Sequence, residues 1–133
     1  MKSALVVIAS SLVWVIGILH LVFTWWGKNL HPRNKDLILQ MKQTHMHITN
    51  ETTVWKAWIG FNSTHSIAAI LFGLIYGYLA LVHPNLFFES IYFKLLGFVT
   101  LAAFLLLSYQ YFFSTPTVVV GIALVCFTIG VLI

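Results

Sequence analysis

Four long apolar runs dominate this sequence and limit the folds that it can adopt. They cover residues 4–26, 57–82, 91–113 and 117–133 of a 133-residue chain. An α-helix needs about 20 apolar residues to cross a hydrocarbon core of about 30 Å, so each run is a candidate membrane span. Only 8% of the residues are charged, against about 25% in soluble domains. The sequence therefore predicts an all-α integral membrane protein, built as one four-helix bundle with a single domain over residues 1–133.

The connections between the four runs are very unequal in length. The second and third connections are short, whereas the first contains about 30 residues and most of the charge. Within it, Pro32 precedes a predicted short helix over residues 34–45. Apolar and amphipathic side chains recur there at helical spacing, which is typical of a helix lying in the membrane interface; they are Leu37, Ile38, Met41, His45 and Ile48.

The positive charges favour one orientation and one kind of partner. Five of the seven Lys and Arg residues lie in or beside the first connection, namely Lys28, Arg33, Lys35, Lys42 and Lys56. The other two, Lys2 and Lys94, belong to the opposite side of an antiparallel bundle. The positive-inside rule then places the first connection in the cytoplasm. The cluster suits anionic lipid headgroups, and a short basic loop held against a bilayer offers little surface to nucleic acid.

Polar side chains occur at matching depths in the first two runs. His20 lies near the end of the first run, and Asn62 and His65 lie near the start of the second. Because consecutive spans are antiparallel, these ends are expected to be neighbours, and residues three apart on a helix share a face. Polar groups inside a span usually face the protein interior and pair there. We therefore predict one cluster of His20, Asn62 and His65, which is either a structural hydrogen-bonded contact or a functional pocket beneath the first connection.

The start of the second run carries further candidate binding residues. The segment W-K-A-W-I-G-F-N-S-T-H-S begins at Trp55 and also contains Lys56 and Trp58. The tryptophans are typical of the aromatic belt at the headgroup level. Lys56 and Arg33 are expected to be interfacial anchors, and either could hold a phosphate or carboxylate.

Histidine is also a common metal ligand, so a metal or haem site is a further interpretation. The candidate ligands are His20, His65, His45, His47 and Glu51. The H-M-H at residues 45–47 is a weak signal, because it lacks the H-x-x-x-H spacing that places two imidazoles on one helical face. Two histidines could be the axial ligands of a haem only if their rings oppose each other across the iron.

Three stretches together resemble a group of small four-span bacterial membrane proteins. They are G-I-L-H in the first run, H-P-R-N in the first connection and W-K-A-W-I-G-F-N-S-T-H-S-I in the second run. The resemblance implies a bacterial inner-membrane protein and points to His20, Arg33, Trp55, Lys56, Trp58, Asn62 and His65. It carries no activity, and the H-M-H of residues 45–47 departs from its pattern.

Three functions remain open from the sequence. The first is a membrane protein that binds a lipid or small ligand in the polar pocket, as an enzyme or as a binding protein. The second is a non-catalytic subunit or scaffold, and the third is a haem or metal protein of unassigned cofactor. The G-x-x-x-G formed by Gly73 and Gly77 fits helix packing within the bundle, a homo-oligomer or a larger membrane complex.

Overall fold

The computed structural model describes all 133 residues and is all-α apart from one small β-hairpin. The elements in chain order are α1 (Lys2–Trp25), α2 (Lys35–Gln43), β1 (His45–Met46), β2 (Thr49–Thr53), α3 (Val54–Val82), α4 (Pro84–Glu89), α5 (Ile91–Tyr111) and α6 (Ser114–Leu132). Four of them, α1, α3, α5 and α6, are long and apolar enough to cross a membrane. The predicted all-α architecture with four candidate spans is confirmed.

The long helices expose many large apolar side chains. Leu81 is 67% exposed, Val99 58% and Ile122 50%, and similar residues occur along all four helices. Soluble monomers rarely present continuous apolar surface on this scale. Such helices are suited to hydrocarbon, where every backbone polar group must be satisfied within the helix itself.

The chain divides into two compact units. The first unit contains Met1–Ile16 and Ala69–Ile133, and the second contains Gly17–Ala68. The sequence of α1 and of α3 continues from one unit into the other. A single domain over the whole chain stays a prediction.

The first unit holds the buried core, which four long helices and α4 build together. Its buried side chains include Val6, Ala9 and Val13 of α1, Phe72 and Tyr76 of α3, Phe87 of α4, Leu101 of α5 and Phe127 of α6. The rings of Tyr76, Phe87 and Phe127 meet edge to face at centroid distances of 5.5 to 6.1 Å. Tyr76 also donates its hydroxyl proton to the carbonyl oxygen of Phe93 at 3.0 Å, which satisfies its polar end.

Glycine allows α1 and α3 to approach closely within the first unit. A methyl group added at Gly73 would lie 2.6 Å from the carbonyl oxygen of Ser10 and 3.0 Å from the Cα of Trp14. One added at Gly77 would lie 3.7 Å from the Cβ of Ser10. The G-x-x-x-G of the sequence therefore packs against α1 of the same chain.

The short helix predicted in the first connection is present in the second unit, but it is shorter than predicted. Helix α2 is capped by Asn34, whose side-chain oxygen accepts from the amides of Asp36 at 2.8 Å and Leu37 at 3.4 Å. The helix ends at Gln43, so the extension of the prediction to residue 45 is wrong. His45 and Ile48 belong to the hairpin, and Ile48 at its turn is 89% exposed instead of sharing a helical face with Leu37.

The hairpin was not predicted, although its second strand has a readable signal. β2 has the sequence T-N-E-T-T and pairs antiparallel with β1, with His45 opposite Thr53 and Met46 opposite Thr49. Threonine is β-branched and favours strands. The hydroxyl oxygen of Thr53 then accepts from the amide of Lys56 at 3.3 Å. This cap starts α3 at Val54, three residues before the predicted position.

The second connection contains a short helix that was not predicted, and the third connection is shorter than predicted. Residues 83–90 contain the short helix α4, with Pro84 in its first turn and Phe87 fully buried. Helix α6 begins at Ser114, so only Phe112 and Phe113 separate it from α5. Proline fits the first turn of a helix because its missing N–H has no intrahelical partner there.

Candidate functional site

His20 and Asn62 form a direct hydrogen bond in the second unit, as the sequence predicts. Nε2 of His20 lies 3.0 Å from Oδ1 of Asn62, and both residues are half-buried. The amide nitrogen of Asn62 donates to the carbonyl oxygen of Trp58 at 2.8 Å. Because a carbonyl can only accept, this contact orients the amide with Oδ1 toward His20. The network therefore assigns the proton-bearing nitrogen of His20 to Nε2.

His65 completes the cluster through its ring. The imidazoles of His20 and His65 meet edge to face, with centroids 5.3 Å apart and ring planes inclined by 73°. One turn along the same helix segment, the fully buried Ser66 donates its hydroxyl proton to the carbonyl oxygen of Asn62 at 2.8 Å. Two helices thus contribute one compact polar cluster: His20, Asn62 and His65.

A second set of contacts joins the end of α1 to α3 next to this cluster. The indole N–H of Trp25 donates to the hydroxyl oxygen of Ser63 at 2.9 Å. Thr24 is fully buried, and its hydroxyl donates to the carbonyl oxygen of His20 at 2.7 Å. Trp25 is the last residue of α1, and its partner Ser63 lies in the third turn of α3. The first two turns of α3 therefore extend past the end of α1.

An open cleft of about 380 Å³ lies at this end of α1. Its lining consists of Thr24, Trp25, His31, Trp55, Lys56 and Ile59. Ligand sites commonly have volumes of about 300–1,000 Å³ with mostly apolar walls and a few polar groups. Thr24 and Trp25 line the cleft, and they bond to the main-chain carbonyl of His20 and to the hydroxyl of Ser63, respectively. His20, Asn62 and His65 are not among the lining residues.

His31 is the central residue of one cleft wall. Its Nε2 lies 3.3 Å from the carbonyl oxygen of Thr24, which is among the last carbonyls of α1. Its ring packs edge to face on Trp55 at 5.1 Å and on Trp58 at 5.7 Å. These two indoles are themselves stacked, with centroids 5.3 Å apart. Since helix C-termini leave carbonyls without intrahelical partners, His31 both caps α1 and fixes the indoles.

The predicted basic residues have different positions relative to the cleft. Lys56 lines it, whereas Arg33 is exposed in the connection before α2 and is not among the lining residues. Lys42, near the end of α2, places its Nζ 5.6 Å from the ring centroid of Trp55. Helix α2 therefore contributes a cation beside the cleft, and this residue was not among the predicted site residues.

His20 and His65 come together in the structure, but no third candidate metal ligand joins them. No group of three or more His, Cys, Asp or Glu side chains is placed to hold a metal ion. Nδ1 of His45 lies 3.1 Å from the carbonyl oxygen of Thr52, and His47 and Glu51 are exposed. The rings of His20 and His65 are in direct contact, so they would have to separate to admit a haem iron between them. A metal or haem site stays a prediction.

Sequence reasoning did not select several residues that the fold brings to the site. His31, Thr24, Ser63 and Lys42 are not among the residues predicted for the site. The signal for His31 was its position five residues after the predicted end of the first span, where capping groups occur. The position of Lys42 beside Trp55 depends on how the first connection folds back on α3, which the helical spacing within residues 34–45 does not specify.

A comparison of the chain with models of protein families, with curated proteins and with solved structures finds no match.

Proposed function

We propose that the protein is an integral membrane protein that binds a lipid or another small amphiphilic ligand at the end of α1. The ligand enters the cleft that Thr24, Trp25, His31, Trp55, Lys56 and Ile59 line. From there it extends toward the polar cluster of His20, Asn62 and His65. A histidine cluster at this position orients the ligand by hydrogen bonds.

The observation that carries the proposal is the 3.0 Å hydrogen bond between His20 and Asn62 beside an open cleft. Polar groups within a candidate membrane span are unfavourable unless they are paired, and they usually mark a functional or interhelical contact. Here the pair lies about one helical turn from two residues that line the cleft, Thr24 on α1 and Ile59 on α3. An apolar contact would satisfy helix packing at lower desolvation cost.

We further propose a bacterial inner-membrane location, in line with the resemblance to small four-span bacterial membrane proteins. The five Lys and Arg residues in or beside the first connection support a cytoplasmic position for residues 26–53. Membrane lipids are then the immediate partners of the protein.

The topology is tested by labelling single cysteines in a Cys126→Ala background. Lys42→Cys and Asn85→Cys are expected to react with a membrane-impermeant maleimide from opposite sides of inner-membrane vesicles, because α3 lies between these positions and is long enough to span. Lys42→Cys is expected to react from the cytoplasmic side. Labelling of both positions from one side would contradict the four-span topology.

Ligand binding is tested by native mass spectrometry of the protein extracted in mild detergent. The wild-type chain is expected to retain a lipid or small ligand, and His20→Gln or His65→Gln is expected to lose it while keeping its helical circular dichroism. His83→Gln is the matched control, because His83 lies in the first unit and contacts Tyr78. Retention of the same ligand by all three variants, or its absence from the wild-type protein, would overturn the proposal.

A non-catalytic subunit or scaffold is the second candidate function. It is favoured by the internal bonding of Asn62, whose amide oxygen and nitrogen both have partners within the chain. In that case His20→Gln and His65→Gln lower the melting temperature and expression together, and no ligand accompanies the wild-type protein.

A further inference from the structure

The cleft combines aromatic walls with a cationic rim. Trp25, His31, Trp55 and Ile59 supply rings and an aliphatic side chain, and Lys56 is the one lining residue with a full positive charge. Lysine places a compact, strongly hydrated ammonium at the end of a flexible stem, which suits a phosphate at the edge of an apolar site. The lining therefore matches an amphiphile with an anionic head.

Lys42 adds a second ammonium at the same place. Its Nζ lies 5.6 Å from the centroid of Trp55, within the range of a cation–π contact. Trp55 is both a wall of the cleft and the residue before Lys56. Lys42 of α2 thus contacts an indole that lines the cleft, and Lys56 of α3 lines the same cleft, although the two lysines are 14 residues apart in the sequence.

The surrounding charge also favours an anion. The second unit contains five Lys and Arg residues but only two carboxylates, Asp36 and Glu51. Both carboxylates are exposed, and neither lines the cleft. A negatively charged headgroup near Lys42 and Lys56 therefore meets a positive field on this face of the unit.

We propose that the cleft is a specific site for an anionic phospholipid, with its phosphate bound by Lys42 and Lys56 and its apolar part against Trp25 and Ile59. This inference rests on the proposed function and names the ligand class. A lipid fits better than a soluble phosphate because most of the lining is aromatic or aliphatic. Trp25 and Trp26 at the end of α1 are 57% and 79% exposed, as expected for residues at the headgroup level.

The test compares two lipids that differ in headgroup charge. The detergent-solubilised full chain is titrated with dioleoyl phosphatidylglycerol and with dioleoyl phosphatidylcholine, and bound lipid is counted by native mass spectrometry. Each lysine near an anionic lipid is expected to contribute a factor of about five, so two lysines give a preference of about 25-fold for phosphatidylglycerol. The double variant Lys42→Ala/Lys56→Ala is expected to bind both lipids with similar affinity.

The matched control is Lys28→Ala/Lys35→Ala, which removes two charges from the same unit, one of them from α2, without altering the cleft lining. It is expected to keep most of the preference. An equal loss of the preference for phosphatidylglycerol in both double variants would mean that the positive charges of the unit attract the lipid without a defined site. That result would overturn the proposed site. Melting temperatures verify folding, and Lys42→Gln/Lys56→Gln replaces the alanine variant if that variant does not fold.

Two further results separate this inference from the proposed function. Equal binding of the two lipids to the wild-type protein would overturn the anionic site while leaving lipid binding intact. Binding of neither lipid would overturn the anionic site, and the proposed function would then depend on the separate test of the ligand that the wild-type protein retains. Displacement of phosphatidylglycerol by excess inorganic phosphate, with no dependence on the acyl chains, would assign the cations to a soluble anion and overturn the choice of a lipid.

Discussion

Replacing Gly73 with alanine is expected to lower the free energy of unfolding by about 3 kcal/mol, at the upper end of the usual range for overpacking. The added methyl group would lie 2.6 Å from the carbonyl oxygen of Ser10 and close to the backbone of Trp14. These are main-chain atoms, which cannot rotate away as the end of a flexible side chain can. Helices α1 and α3 must therefore separate within the first unit. Reversible unfolding in mixed detergent micelles, followed by circular dichroism, measures the change.

Two other glycines of α3 provide graded controls for this prediction. A methyl group at Gly60 has no heavy atom within 4 Å, and one at Gly77 makes an ordinary contact of 3.7 Å with the Cβ of Ser10. Gly60→Ala is expected to be neutral or to stabilise the helix by up to about 1 kcal/mol. Gly77→Ala is expected to lie between the two. If all three substitutions have the same effect, helix propensity and not the close approach at Gly73 governs stability.

Alanine at His20 or Asn62 is expected to lower the free energy of unfolding by about 2 kcal/mol, because each change leaves a half-buried polar partner without its hydrogen bond. The double variant is expected to lose less than the sum of the two single variants. Measured interhelical hydrogen bonds in membranes average about 0.6 kcal/mol and reach about 1.7 kcal/mol, so a coupling energy of about 1 kcal/mol is expected here. A double-mutant cycle on the purified protein measures it.

The exposed pair of Tyr78 and His83 is the control for this cycle. Their side chains lie 3.3 Å apart, yet both residues are exposed. Tyr78→Phe and His83→Ala are therefore expected to show almost no coupling, since water or lipid headgroups at the end of α3 replace the lost bond. Additive effects of His20→Ala and Asn62→Ala would mean that the bond at 3.0 Å contributes nothing to folding.

The three residues of the predicted polar cluster are neighbours in the structure for a geometric reason, whereas a binding role for them stays a prediction. His20, Asn62 and His65 come together because helical spacing fixes which residues share a face, and because the last turns of α1 lie beside the first turns of α3. Trp55 and Lys56, at the start of α3, line the cleft. His31 and Lys42 reach the site through the connection between α1 and α3, whose path follows caps and side-chain contacts that have no fixed period.

The sequence alone determined the number and type of the long helices, because apolar length and the absence of charge are local properties that set membrane compatibility. It also indicated which polar residues of α1 and α3 are neighbours. Only the tertiary structure decided where α2 ends, that Thr53 starts α3, and that His31 packs on two indoles. These features depend on contacts between residues distant in the chain, and a hydrogen bond or a ring contact forms only when the whole fold brings its two partners within a few ångströms.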